Sequence, residues 1–248
     1  MGLEFNPLME VDRTLPHAEA DGTDIDPRIG RYREQYVLNL YPTLHGLSDE
    51  GTYNVTTNPT PGTGLAFAIN TGVSETAGYF LNIKNNDIAG AADAVRLYIH
   101  YIRIICTVVP ASATSGHFMI KTSEANRFTS GGTQLVNTSP NTDSSAISVA
   151  VLNAGALTTA GAGVNDRLVA RGVLRTAIPV VFDEWILAFG PVDSGGAILL
   201  GGATAQRMVI PCAPLVIGPG KNVGLQIWFP GNAATAMSAE LEVGWWER

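Results

Sequence analysis

The stretch at residues 237–248, MSAELEVGWWER, decides how the rest of the chain is interpreted, because apolar and polar side chains alternate along it up to two adjacent tryptophans. Successive side chains of a β-strand point to opposite faces. One face carries Met237, Ala239, Leu241, Val243 and Trp245, and the other carries Ser238, Glu240, Glu242 and Trp246. The pattern predicts a half-buried strand whose Trp246 lies on the polar face. We expect that no residue after Arg248 folds back to cover Trp246 and that another subunit covers it instead.

Further apolar runs of strand length recur from residue 65 to residue 248, and Gly, Pro, Ser, Thr and Asn separate them. Examples are GYFLNIK at 78–84, VRLYIHYIRIICTVV at 95–109 and NVGLQIWF at 222–229. No amphipathic helical pattern of useful length interrupts them, which favours antiparallel sheets over βαβ units. The sequence therefore predicts an all-β fold, an antiparallel jelly-roll-like β-sandwich over residues 65–248.

The Pro219-Gly220 pair near the C-terminus predicts a turn, since Pro presets its first corner and Gly supplies positive φ at the second. Apolar runs flank this turn, which predicts an antiparallel hairpin. Within the second run, alternation places Trp228 beside Gln226 on the face opposite Val223, so the pattern does not assign Trp228 to the chain's own core.

Residues 1–64 are predicted to form an extended, irregular N-terminal arm, because prolines interrupt every candidate helix or strand there. The run RIGRYREQYVLNLY at 28–41 concentrates arginine and tyrosine, which are enriched at protein interfaces. Trp228 and Trp246, which lie on polar faces of their strands, are added to this run. The predicted interface residues are therefore Arg28, Arg31, Tyr32, Arg33, Tyr36, Tyr41, Trp228 and Trp246.

Composition restricts the class of partner. Only 15% of residues are charged while 46% are hydrophobic, which predicts a partly buried surface. The formal net charge of -7 disfavours nucleic-acid binding, whose affinity comes from Lys and Arg. An acidic, Pro-containing N-terminus lacks the features of a signal peptide, and no apolar run reaches transmembrane length, so we expect synthesis in the cytoplasm and no membrane span. Cys106 and Cys212 lie in apolar runs and are predicted to be buried free thiols.

The pattern of titratable residues predicts no catalytic site, metal or other cofactor. No two of the four histidines, His17, His45, His100 and His117, have the His-x-His spacing of a cupin metal site. His100 is expected to be a hydrogen-bonded sheet histidine. The acidic run DGTDID at 21–26 lacks the spacing of a calcium loop. Asp183 and Glu184 are neighbours on a predicted strand and point apart, which disfavours a paired-carboxylate glycosidase.

Three tracts, at 98–135, 167–181 and 213–248, resemble virion structural proteins of tailed bacteriophages in their composition and in the order in which they follow one another. They begin YIHYIRIICTVV, RLVARGVLR and APLVIGPGKNVG, and the likeness covers roughly residues 95–248. The resemblance implies a jelly-roll cement or decoration protein on the outer surface of a phage head, often a trimer. It identifies no binding residue of this chain.

The sequence as a whole thus favours a non-enzymatic virion protein that is assembled in the host cytoplasm and stabilises the capsid surface. Its expected partners are further copies of itself, with a homotrimer favoured, and the major capsid protein or other virion proteins. Two alternatives remain: a receptor- or carbohydrate-binding tail or fibre module, because exposed aromatics can stack on sugars, and another coat or collar component.

Overall fold

The structure, a computed structural model, describes residues 47–48, 50–57, 60, 62–68, 70–77, 79–91, 94–110, 115–161, 163, 165–190, 205–230 and 236–248. Strands make up 58% of the interpretable part, which confirms the all-β class. In chain order the strands are β1 (Tyr53–Thr57), β2 (Leu65–Ala68), β3 (Tyr79–Asn85), β4 (Leu97–Val108), β5 (Gly116–Ser123), β6 (Phe128–Gln134), β7 (Asn137–Thr138), β8 (Ala150–Thr159), β9 (Arg167–Arg175), β10 (Glu184–Phe189), β11 (Arg207–Cys212), β12 (Leu215–Ile217), β13 (Asn222–Trp228) and β14 (Ala236–Glu247).

The strands form two sheets. Sheet I has the order β11-β10-β4-β14-β1-β7, with β12 also pairing with β4 and β2 also pairing with β14. Sheet II has the order β6-β8-β3-β13-β5-β9. The β10–β11 pair is parallel, and the other strand pairs are antiparallel. The predicted two-sheet β-sandwich is therefore confirmed.

One hydrophobic core joins the two sheets. Sheet I contributes Trp185 and Trp245 to it, and sheet II contributes Phe80 and Phe118, all at 1% exposure or less. Along β14 the burial alternates as the sequence predicts, with Trp245 facing the core and Trp246 partly exposed. Burying side chains of this size removes roughly 150–250 Å² each from water, so these four aromatics are a major source of the sandwich's stability.

The predicted C-terminal hairpin is wrong, although its turn is confirmed. The Lys221 N–H donates to the Gly218 carbonyl at 3.1 Å, and Gly220 has a φ of 71°. The turn, however, carries the chain from one sheet to the other, because β12 pairs with β4 of sheet I whereas β13 pairs with β3 and β5 of sheet II. Turn chemistry specifies the reversal of direction, and the hydrophobic core between the sheets takes the place of a hydrogen-bonded ladder.

The predicted boundary of the arm at residues 64 and 65 lies too late in the chain. The strand β1 is part of sheet I, where Tyr53 is opposite Trp246 and Thr57 is opposite Glu242. Pro59 and Pro61 follow β1 in the sequence, so they separate two strands of the sandwich instead of marking the end of the arm. The part of the predicted arm before residue 47 lies outside the described residues.

Candidate functional site: an aromatic face on sheet I

The outward side of sheet I carries a group of partly exposed rings on its three adjacent strands β4, β14 and β1. The register places Trp246 of β14 between Tyr98 of β4 and Tyr53 of β1. A register shift between Gly244 and Trp245 lets β4 present two further rings on this side. We call this set the aromatic face: Tyr53, Tyr98, His100, Tyr101 and Trp246.

The rings of the aromatic face contact one another in specific geometries. Trp246 and Tyr98 stack with centroids 5.6 Å apart and an interplanar angle of 3°. His100 meets Trp246 edge to face at 6.3 Å, and it meets Tyr101 in the same way at 5.3 Å. These are the offset-stacked and edge-to-face arrangements that aromatic pairs prefer. Trp246 is therefore covered in part by its own chain, through Tyr98 and His100, and it remains partly exposed.

Gly244 has no side chain and so leaves the space that the Tyr53 and Tyr101 rings occupy. A Cβ at this position would lie 2.5 Å from the Tyr53 hydroxyl and 2.5 Å from the Cε1 atom of Tyr101. The two tyrosine side chains thus lie directly over the β14 backbone. Any larger residue at position 244 would displace them.

Hydrogen bonds and ion pairs fix the border of the aromatic face. The Tyr101 hydroxyl donates to Glu242 Oε1 at 2.6 Å, and the hydroxyl of Tyr53 is hydrogen-bonded to His100 Nδ1 at 3.1 Å. Arg103 Nε donates to Glu184 Oε1 at 2.6 Å, and Arg103 Nη1 lies 3.7 Å from Glu242 Oε2. The carboxylates are thus engaged by partners from neighbouring strands, which orders the polar rim around the rings.

Burial favours the uncharged forms of Tyr53, Tyr101 and His100 on the aromatic face. Burial, assisted by the nearby Glu242 carboxylate, raises the pKa of Tyr53 to about 12. Burial and the hydrogen bond to Glu242 raise the pKa of Tyr101, and burial lowers the pKa of His100. A neutral imidazole beside protonated phenols suits stacking and hydrogen bonding to a docked surface.

The structure separates the predicted interface residues into three groups. Trp246 lies on the aromatic face and is partly exposed. Trp228 is only 4% exposed and stacks on His117 at 5.6 Å, so contrary to expectation the chain itself buries it. The remaining ones lie outside the described residues: Arg28, Arg31, Tyr32, Arg33, Tyr36 and Tyr41.

The histidine and cysteine side chains that the sequence singled out on the strands have structural roles. His100 is a hydrogen-bonded sheet histidine, as predicted, and Cys106 and Cys212 are buried free thiols. Within the described ranges, no cluster of three or more His, Cys, Asp or Glu side chains could hold a metal ion. Nor does that part of the chain contain a helix long and apolar enough to cross a membrane.

A second polar cluster ties loops to sheet II. Arg127, at 5% exposure, bonds Asp166 at 2.5 Å and Glu75 at 3.0 Å, and Lys121 also pairs with Glu75. Two further Arg127 bonds go to the backbone carbonyls of Glu75 and Ala160. Arg127 thus joins segments that are distant in sequence, and we assign the cluster a structural role.

Sequence reasoning missed Tyr53, Tyr98 and Tyr101 as site residues. The alternation of aromatic and apolar residues along LYIHYIR of β4 was an available signal for Tyr98. Tyr101 is out of phase with that alternation and reaches the same side through the register shift beside Gly244. Tyr53 reaches the same face only through the β1–β14 register, which no local pattern specifies. No protein-family model, curated protein or solved structure was found to match this chain, so support for its function comes from its own residues and geometry.

Proposed function

We propose that this protein is a structural virion protein, a cement or decoration protein that binds the outside of a phage head and stabilises it. The observation that carries the proposal is the aromatic face, in particular the partly exposed Trp246 in its stack with Tyr98. Large aromatic side chains at the centre of a contact commonly dominate its binding energy. We also propose that the sandwich has jelly-roll connectivity and that the protein performs no catalysis.

The aromatic face is proposed to meet a sister subunit, most simply in a trimer. Its rings are uncharged and rigid, so they lose little conformational entropy on association. The Arg103, Glu184 and Glu242 side chains at its border are already engaged with one another, and they can form a polar rim around a desolvated centre. A low content of charged residues, 15%, agrees with a surface that is partly covered in the assembly.

The experiment is to measure self-association by sedimentation velocity for the wild type, Trp246→Ala and Trp246→Phe. Removing a central aromatic typically costs about 2 kcal/mol, so Trp246→Ala should weaken association about 30-fold per contact. Trp246→Phe keeps a ring on Tyr98 and should retain most of the affinity. The matched control is Val136→Ala, which removes apolar surface at a 73% exposed position outside the aromatic face.

A wild type that stays monomeric at micromolar concentration would contradict the oligomer. Attachment to the head is a separate question, which we propose depends on the N-terminal arm. Any deletion that tests the arm must end before Tyr53, because β1 belongs to sheet I and its loss would expose the edge of β14. Removing residues 1–46 should abolish binding to heads and leave the oligomer intact.

Carbohydrate binding is the second candidate function, and the same stack favours it. A partly exposed tryptophan, on a face that hydrogen-bonding groups such as Glu242 and Arg103 border, can pack against the C–H face of a sugar. A glycan array with the isolated protein distinguishes the two. Specific glycan binding that Trp246→Ala abolishes, in a protein that does not self-associate, would assign the aromatic face to a receptor-binding role instead.

A further inference from the structure

We infer that the loop between β9 and β10 is a docking element whose exposed Phe182 inserts into an uncharged, apolar pocket of another protein. Under the proposed function, on which this inference rests, that protein is a subunit of the phage shell. The element is the apolar tip, which we define as Val108, Ile178, Val181 and Phe182.

Phe182 has a backbone conformation that an aromatic residue rarely adopts. Its φ is 72°, and it is the one non-glycine residue with positive φ among those described. The Asp183 N–H donates to the Val180 carbonyl at 2.9 Å, which closes a four-residue turn with Phe182 in its third position. A type II turn requires positive φ there and normally has Gly or Asn. Phe in this position is strained, and such strain concentrates at functional sites.

The strain at Phe182 is not relieved by burial, because 69% of the residue is exposed. On the same loop, Ile178 is 51% exposed and Val181 is 36% exposed. The Phe182 N–H donates to the Cys106 carbonyl at 2.7 Å, and Val108, two residues after Cys106, is 53% exposed. A small polar residue such as Asn would adopt the positive φ that the turn requires and would form hydrogen bonds with water. The sequence instead places its most exposed described aromatic at this strained position, among three other exposed apolar side chains.

A buried ion pair makes the tip rigid. Asp183 is fully buried, and its carboxylate accepts from Arg175 Nη1 at 2.5 and 2.6 Å, from the Val180 N–H at 2.7 Å and from the Gln206 N–H at 2.8 Å. These bonds connect the end of β9 in sheet II to the start of β10 in sheet I. The backbone of the turn that carries Phe182 is thus held in place before binding, which lowers the entropic cost of docking.

The chemistry and size of the tip indicate what kind of surface receives it. No member of the tip is charged, and the charged residues at the two ends of the loop, Arg175 of β9 and Asp183 before β10, are buried against each other. The four side chains expose on the order of 300 Å², well below the roughly 800 Å² per partner of a stable dimer. The tip is therefore too small to hold two copies of the chain together by itself. It suits one aromatic anchor that fills a pocket within a larger contact.

The test uses the full chain and heads of the encoding phage prepared without this protein. Phe182→Asn and Phe182→Gly remove the anchor while both new residues accept positive φ. Binding to heads, measured by co-sedimentation, should weaken about 30-fold in each variant. The thermal midpoint should stay equal or rise by about 2–4 °C, because the strain is relieved. Phe182→Tyr should bind nearly as well as the wild type.

The matched control is Ile147→Asn, which removes a 91% exposed apolar side chain elsewhere and should leave binding unchanged. If Phe182→Asn binds heads as tightly as the wild type, the docking role is overturned and the proposed function stands. If the wild type binds no heads, both are overturned. A midpoint lowered by several degrees would show that Phe182 acts in packing. Sedimentation of the wild type with phosphatidylcholine vesicles, lost in Phe182→Asn, would replace the protein pocket by a lipid surface.

Discussion

The Arg175–Asp183 pair allows the sharpest prediction of stability, through the isosteric change Asp183→Asn. An amide has one acceptor oxygen where the carboxylate has two, and both carboxylate oxygens are used. Whichever way the amide turns, its NH₂ group faces a backbone N–H donor, and the Arg175 guanidinium keeps its charge with its side chain only 6% exposed. Removing one partner of a buried ion pair costs about 3–5 kcal/mol, and we expect a loss in this range.

Urea unfolding, followed by tryptophan fluorescence, measures this loss. With a slope of about 2–3 kcal/mol per molar urea, the midpoint should fall by about 1–2.5 M. The matched control is Glu124→Gln, the same chemical change in a pair with Arg167 whose side chains are 47% and 77% exposed at 3.6 Å. That variant should stay within about 0.5 kcal/mol of the wild type, because solvent screens exposed pairs.

A double-mutant cycle tests whether the loss of stability in Asp183→Asn comes from the buried charge of Arg175. In an Arg175→Met background no buried charge is left behind, so Asp183→Asn should cost clearly less than it does in the wild type. A loss below about 1 kcal/mol in the wild-type background, or an equal loss in both backgrounds, would refute the assignment of this pair as the buried connection between the two sheets.

Three further predictions concern the aromatic face and the thiols. Gly244→Ala should destabilise the protein by about 1–2 kcal/mol and weaken self-association, because the new Cβ would displace Tyr53 and Tyr101; Gly72→Ala, with nothing within 4 Å, is its control in urea unfolding. His100 has a lowered pKa in the fold, so its contribution to stability is complete above about pH 6.5 and is lost as the pH falls through the folded-state value. His100→Gln should remove this dependence, seen as a smaller change in unfolding free energy between about pH 7.5 and pH 5. Burial raises the pKa of Cys106 to about 12 and that of Cys212 to about 11, so neither should react with a disulfide reagent at about pH 8 until urea unfolds the chain; fast labelling of the folded protein would contradict this.

Local patterns were sufficient for features that depend on one strand or one turn. The two-residue period of β14 assigned Trp245 to the core and Trp246 to the outer side, because the pleat itself imposes that alternation. The turn at Gly220 followed from the positive φ that glycine alone adopts at little cost. The apolar surroundings of Cys106 and Cys212 were enough to predict their burial.

Strand pairing was decided only by the tertiary structure, and the site depends on it. Backbone ladders are chemically alike for any two strands, so sequence could not tell that β12 and β13 belong to different sheets or that β1 joins sheet I. Trp228 is buried for the same reason, since its neighbour His117 comes from the paired strand β5. The aromatic face and the strained Phe182 likewise arise where segments distant in sequence meet. The sequence alone thus determined the alternation within single strands and the turns between them, and long-range packing determined which strands pair and which side chains lie together.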